Sequence, residues 1–264
     1  MIKLLFKNKN ISSFNFINKF KNENKIKKIG HTGTLDPIAE GLLLVATDND
    51  TKLIPFLLSN YKTYIAKAKL GISTDTYDIT GIVTNKIDAL PKLNESIVND
   101  AFEILKNKKE QMPPIFSAKK ILGEKAYVLA RKGQEVKLRS VSVDIKYIKL
   151  IELTDDEITF ETKVSKGTYI RTMINDLGIL LNTYATMTEL KRTEIEDLGL
   201  SQVDKELNPI DLIDIEKVNL DDYDIQDIKK HGNVKRELPN TCALIYNNKL
   251  IAIRSNGRFK LINE

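Results

Sequence analysis

Residues 30–44 read Gly30-His31-Thr32-Gly33-Thr34-Leu35-Asp36-Pro37-Ile38-Ala39-Glu40-Gly41-Leu42-Leu43-Leu44, which sets one carboxylate between glycine turns and an apolar run. Gly30 and Gly33 allow positive φ or the close approach of another backbone, while Pro37 fixes its own φ and pushes Asp36 toward an extended conformation. The apolar positions Ile38, Ala39, Leu42, Leu43, Val45 and Ala46 suggest a short buried element, so Asp36 is expected at a loop-to-helix junction on the rim of a core. Local chemistry leaves two readings open. Asp36 is a helix N-cap with Pro37 in the first turn, or it is a carboxylate aimed at a ligand.

At 264 residues and 42% hydrophobic, the chain can bury a substantial core and hold one large domain plus a small one. Its formal charge is +5 with a pI near 9.0, unevenly spread. Residues 1–30 carry eight Lys against one Glu, and residues 117–140 carry seven Lys or Arg against Glu124 and Glu135. Between 194 and 227 the sign reverses, with twelve acidic residues against Lys205 and Lys217. Two basic patches separated in sequence suit a curved polyanion better than a membrane surface, with phosphate contacts supplying much of the affinity. The single Cys242 permits no internal disulfide and no thiolate metal cluster, which points to a reducing compartment and a core-filling role. The chain contains no run of eighteen apolar residues, and its start is too brief for a signal-peptide core, so a cytoplasmic protein is expected.

Along the chain, Ser12 and Ser13 open an expected helix over 11–22, with Phe14, Ile17 and Phe20 at helical spacing. Residues 61–72 alternate Tyr64, Ala66, Ala68 and Leu70 against Thr63, Ile65, Lys67 and Lys69, the period of a strand. Ile97, Ala101, Ile104 and Leu105 predict a helix over 94–108, which Met112-Pro113-Pro114 ends. Residues 140–153 and 157–165 read as a hairpin turning at Thr154-Asp155-Asp156, and a helix over 168–181 stops near Asn182. The acidic stretch 204–230 reads as surface helices and connections, and 243–262 as two short strands around Asn247-Asn248. The order implies an α+β core to about residue 210 with a β-rich appendage.

The opening stretch resembles the signature GHTGxLDPxAxGxL of the TruB-type tRNA pseudouridine synthases, matching every fixed position from Gly30 to Leu43. Three further blocks resemble the same family in the same order. They are Tyr61-Lys62-Thr63-Tyr64 followed by Thr74-Asp75-Thr76-Tyr77-Asp78-Ile79-Thr80-Gly81, then Ser165-Lys166-Gly167-Thr168-Tyr169-Ile170-Arg171-Thr172, then Glu189-Leu190-Lys191-Arg192-Thr193. The resemblance implies a mixed, mainly antiparallel central β-sheet flanked by helices, in a catalytic domain over 1–208. It implies a reduced PUA-like segment over 209–264 and a mobile basic RNA-binding arm over 117–140. It also implies the reaction, isomerisation of uridine 55 in the tRNA T loop to pseudouridine, by an isomerase of the intramolecular transferase type.

That reaction breaks an N-glycosidic bond, rotates the base and joins C5 to C1′, so one carboxylate in a dry pocket can suffice and neither metal nor cofactor is called for. By the resemblance Asp36 is catalytic, either attacking covalently or taking a ribose proton. Arg171 pairs with it and orients the carboxylate through a fork that Lys cannot copy. Tyr64 stacks on the extruded base, returning about 1–3 kcal/mol of the flipping cost. Asp78 joins the network, Tyr169 packs the opposite side of the pocket, and Leu190 caps it. RNA contacts are expected from His31, Lys9, Lys119, Lys120, Lys125, Arg131, Lys132, Lys166 and Arg192. The partner is the T-arm stem-loop of tRNA, bound by a monomer with neither a membrane nor an obligate protein partner.

Two other classes are open to the same residues. One is an RNA-folding module acting on the tRNA elbow, against which the intact Asp36, Tyr64 and Arg171 argue. The other is hydrolysis of a nucleoside bond, which generally needs a second acid at defined spacing, and none stands out. One departure from the family concerns the first loop, where Asn8 and Asn10 stand in place of the usual proline and glycine and leave the loop's rigidity unexplained.

Overall fold

The computed structural model describes residues 1–116, 120–121, 124–125 and 138–262, which form two compact units, Met1–Ser59 with Leu198–Glu264 and Asn60–Asp197. In the first unit, strand β1 (Ile2–Lys7) is followed by helix α1 (Ser13–Glu23), strand β2 (Ile29–His31) and strand β3 (Glu40–Thr47). β1 and β3 are antiparallel from Ile2 opposite Ala46 to Lys7 opposite Gly41, and β2 lies on β3 with His31 opposite Val45. Leu42, Leu43, Leu44, Val45 and Ala46 are all fully buried, each large side chain contributing roughly 1.5–3 kcal/mol. Asp36 therefore precedes a strand and not a helix. A continuous apolar run has no period of its own, and Gly41 at φ 119 lies outside the helical region, so no helix runs through it. Helix α1 is capped by Ser12, whose side chain accepts from the Asn15 N–H at 3.1 Å. It turns Ile17, Phe16 and Phe20 onto Leu5, Leu43 and Val45, and leaves Phe14 exposed.

The second unit is built on an antiparallel sheet of β4 (Tyr61–Leu70), β7 (Ile145–Leu153), β8 (Glu157–Ser165) and β9 (Ala185–Ile195), in the order β7-β8-β4-β9. Between β4 and β7, a small hairpin of β5 (Ile72–Thr74) and β6 (Val83–Lys86) carries the Asp78 loop, and helix α2 (Glu95–Lys106) follows. Helix α2 buries Val98, Ala101, Phe102 and Leu105, with the Phe102 and Phe160 rings 5.4 Å apart. Helix α3 (Ile170–Leu180) packs on β9, the strand that carries the Glu189–Thr193 block. Gly178 is required there, because a Cβ would run into the backbone of Tyr184 and Ala185.

In the last part of the first unit, β10 (Glu206–Leu207) extends the sheet beside β1. β11 (Lys217–Asn219) runs parallel to β12 (Cys242–Tyr246), which pairs antiparallel with β13 (Lys249–Ser255), and β13 with β14 (Arg258–Leu261). The appendage thus holds four strands where two were expected, over a core of Leu220, Val234, Leu238, Cys242, Leu244 and Ala252. Helix α4 (Asp222–His231) covers it, opened by a reciprocal Asp221–Asp224 capping box and closed by Gly232 at φ 69. Arg236 is tied to the buried Asp224 and holds that carboxyl below the usual range. Arg254 donates to the carbonyls of Leu238 and Pro239. These two cations serve the local fold, whereas Arg258 and Lys260 face solvent. No helix among the described residues is long and apolar enough to cross a membrane.

Candidate active site

Asp36 sits in a turn braced from three directions. Its carbonyl accepts from the Ala39 N–H at 3.1 Å, closing the turn behind Pro37. On the preceding side, the buried Ser13 hydroxyl both accepts from the Leu35 N–H and donates to the Leu35 carbonyl, each at 2.8 Å. On the following side, the Asn10 N–H donates to the Pro37 carbonyl at 2.8 Å. Lys7 is fully buried, and its ammonium donates to the carbonyls of Asn8 and Ile11 at 2.9 Å and, across the loop, to those of Pro37 and Ala39. A buried charge is retained only when its donors are met, so Lys7 welds the 8–11 loop to the Asp36 turn. This accounts for the missing proline and glycine. Asn10 takes the left-handed φ of 65 that asparagine tolerates, and Lys7 supplies the stiffness.

In the second unit the structure brings Asp78 and Arg171 together. Arg171, 5% exposed at the start of α3, donates from Nη1 to the Thr76 carbonyl at 2.9 Å and from Nη2 to the Phe116 carbonyl at 3.0 Å. Its Nη1 lies 3.5 Å from Asp78 Oδ2. The other oxygen, Oδ1, accepts from the Thr76 hydroxyl and the Thr80 N–H, both at 3.0 Å, and from the Thr80 hydroxyl. Two threonines flanking the acid at i−2 and i+2 thus consume Oδ1 and leave Oδ2 toward the guanidinium. Neither threonine was singled out in the sequence, although the Thr-x-Asp-x-Thr spacing is the signal that finds them.

The same loop has no room at Gly81, where a Cβ would collide with Thr76 Oγ1 and Asp75 Oδ1, both engaged in hydrogen bonds. Gly81→Ala is expected to cost about 1–3 kcal/mol in stability and to lower turnover at least tenfold with RNA affinity kept, as read by thermal melts and single-turnover kinetics. Tyr169 is clamped at its backbone by the buried Gln111, whose amide accepts from the Tyr169 N–H at 2.8 Å and donates to its carbonyl at 3.0 Å. Gln111 left no trace in the sequence, because the signal is a tertiary contact between a two-residue strand and a helix start.

Tyr64 and Leu190 lie on β4 and β9, 8% and 6% exposed. Arg192 is 1% exposed and stands directly opposite Tyr64, donating to its hydroxyl. Lys62, two residues before Tyr64, is also buried. Desolvation first, then the charges of Arg192 and Lys166, push its ammonium down to about 8, against a smaller opposing pull from Glu196. The unfolded chain then binds more protons than the folded one between about pH 8 and 10.5. Stability contributed by Lys62 should therefore rise across that window, by at most about 3 kcal/mol. Chemical denaturation at pH 7.5 and 10 should show this rise in the wild type and a smaller one in Lys62→Met.

Of the expected RNA-contact residues, Lys166 is exposed, and Lys9 and His31 are half-buried. Lys120 and Lys125 stand in the paired two-residue strands Lys120–Ile121 and Glu124–Lys125. Lys119, Arg131 and Lys132 lie outside the described residues. Among the described residues no group of three or more His, Cys, Asp or Glu could hold a metal ion.

The central sheet with flanking helices and the small C-terminal sheet form a pseudouridine synthase fold. A solved Cbf5–Nop10–Gar1 complex matches it with a TM-score of 0.66 at 20% identity, covering 96% of this chain and 77% of that one, a likeness of fold. The family model described as TruB family pseudouridylate synthase, N-terminal domain, matches residues 21–170. The tRNA pseudouridine synthase B of Mycoplasma mobile is 47% identical over 234 residues, 87% of this chain and 81% of the relative. The tRNA pseudouridine synthase B of Mycoplasmopsis pulmonis is 40% identical over 254 residues, 94% and 87% respectively. The chain belongs to the TruB family of pseudouridylate synthases and is an isomerase.

Proposed function

We propose that this enzyme converts uridine 55 in the T loop of tRNA to pseudouridine, with Asp36 as its single catalytic carboxylate and no cofactor. The observation that carries the reading is the over-determined Asp36 turn, held by Lys7, Ser13 and Asn10 in a chain of this family. A carboxylate fixed this firmly spends little freedom when it acts, which is how a lone group can supply the chemistry. The relatives are named for tRNA, and the basic excess at residues 1–30 and 117–140 suits that polyanion.

In this reading the target uridine is flipped from its stack and received on Tyr64 with Tyr169 opposite and Leu190 as cap. Asp36 acts at the glycosidic unit. Arg171, held by the Thr76 and Phe116 carbonyls and by Asp78, aligns it. The N1–C1′ bond breaks, the base turns within the closed pocket, C5 joins C1′, the C5 proton leaves and N1 takes up a proton. Residues 1–208 carry catalysis, and 117–140 close over the T loop with Lys119, Lys120, Lys125, Arg131 and Lys132. Lys9, His31 and Lys166 contact RNA, and 209–264 add Arg258 and Lys260. The protein works as a cytoplasmic monomer. Pseudouridine mapping of total RNA from a strain lacking this protein tests the reading. Loss at the single T-loop position is expected, whereas an unchanged T loop, or free uracil released in vitro, would overturn it.

A further inference from the structure

Arg192 is a residue that RNA recognition does not account for. A guanidinium that reads phosphates faces solvent, yet Arg192 is 1% exposed and is among the largest fully buried side chains described. Desolvating an arginine costs several kcal/mol, so its neighbours must compensate. One of them is Tyr64. In the β4–β9 ladder Arg192 stands directly opposite Tyr64, the geometry in which two side chains rise from the same face about 5 Å apart. Nη1 donates to the Tyr64 hydroxyl at 3.4 Å, and the guanidinium carbon lies 6.0 Å from the ring centroid. The placement is built into the backbone. The β9 register shifts between Arg192 and Glu194, so the strand bulges right after Arg192, and the Thr193 hydroxyl pins the bulge to the Thr63 carbonyl at 3.3 Å. Bulges of this kind re-aim the adjoining side chain and recur beside active sites.

We propose that Arg192 is a positioning residue that fixes the hydroxyl and ring plane of Tyr64 for the flipped base. This rests on the reading of Tyr64 as the base platform. A guanidinium suits the task because its planar fork donates to the phenol while its face and charge meet the ring, and a lysine ammonium offers only a point charge. The role lies in the alignment of the base after capture, so turnover depends on it and tRNA capture does not.

The test joins two measurements that fail separately. In free protein labelled at tyrosine Cζ, the Tyr64 resonance, assigned by its loss in Tyr64→Phe, should move in Arg192→Lys and Arg192→Met while the other tyrosines stay in place. On a T-arm minihelix, single-turnover tritium release should fall about 10–100-fold in Arg192→Lys, the scale of a small misplacement, with the RNA dissociation constant changed by less than about twofold. A still Tyr64 resonance overturns the proposal. So does a weakened affinity with a reduced salt slope and an unchanged rate at saturating protein, the signature of a phosphate contact. If the arginine variants fail to fold, the reciprocal measurement decides. The Arg192 side-chain nitrogen resonances must shift in Tyr64→Phe, and no shift refutes the contact. Wild-type protein inactive on every T-arm substrate would sink the uridine 55 reading and leave the Tyr64 resonance result standing.

Discussion

Asp36→Asn is expected to lower tritium release from a T-arm minihelix carrying C5-tritiated uridine by more than about 10⁴-fold, to background. The substitution keeps shape and removes only the charge. An amide can neither attack the glycosidic unit as an oxygen nucleophile nor hold a proton taken from ribose, so both routes close together. The turn survives, because Ser13, Asn10 and Lys7 hold it through backbone groups of Leu35, Pro37 and Ala39. The thermal midpoint should stay within about 2 °C of wild type, and the affinity for the minihelix within about threefold. Full activity in a folded variant would remove Asp36 from the chemistry.

Arg171→Lys should reduce the single-turnover rate about 10²–10³-fold while RNA binding is retained. Three directions converge on the guanidinium: the Thr76 carbonyl at 2.9 Å, the Phe116 carbonyl at 3.0 Å and Asp78 Oδ2 at 3.5 Å. A lysine keeps the charge and loses the fork, so at least one buried acceptor is stranded, at a cost of about 1–3 kcal/mol. The charge-free control, Arg171→Met, should be worse, because it leaves the buried Asp78 carboxylate facing apolar carbon. Unchanged turnover in Arg171→Lys, measured with saturating enzyme, would take Arg171 out of the site.

Much of the molecule was legible from spacing alone, and the misses have definite causes. The Tyr61–Leu70 strand and the hairpin turning at 154–156 follow from alternation and a polar turn, both local signals. The spacing predicts helix α2 but mixes its face. Ile97 and Ile104 are exposed while Val98 and Phe102 are buried, because the helix offers two overlapping i, i+3, i+4 stripes and only the sheet beneath selects one. Phe14 is exposed for the same reason, Phe16 packing in its stead. The spacing does not separate strand from helix after Asp36, because the buried apolar run Leu42–Ala46 carries neither period. In the candidate site, acids, aromatics and the fork-bearing Arg171 stood out through short motifs. Their supports did not: Lys7 and Gln111 act through carbonyls and amides far off in sequence, and a backbone acceptor writes nothing into the residue that provides it.

Lys7 has one more consequence. Its ammonium donates to the carbonyl oxygens of residues 8, 11, 37 and 39, groups that every residue type possesses, so these four contacts are indifferent to the side chains at those positions. Asn8 and Asn10 can stand where proline and glycine are usual because Lys7, together with Ser13 and the Asn10 N–H, holds the turn through backbone groups. The loops around the carboxylate are thereby free to follow the compositional drift of an Asn- and Lys-rich chain, and the site keeps its shape while the sequence around it changes.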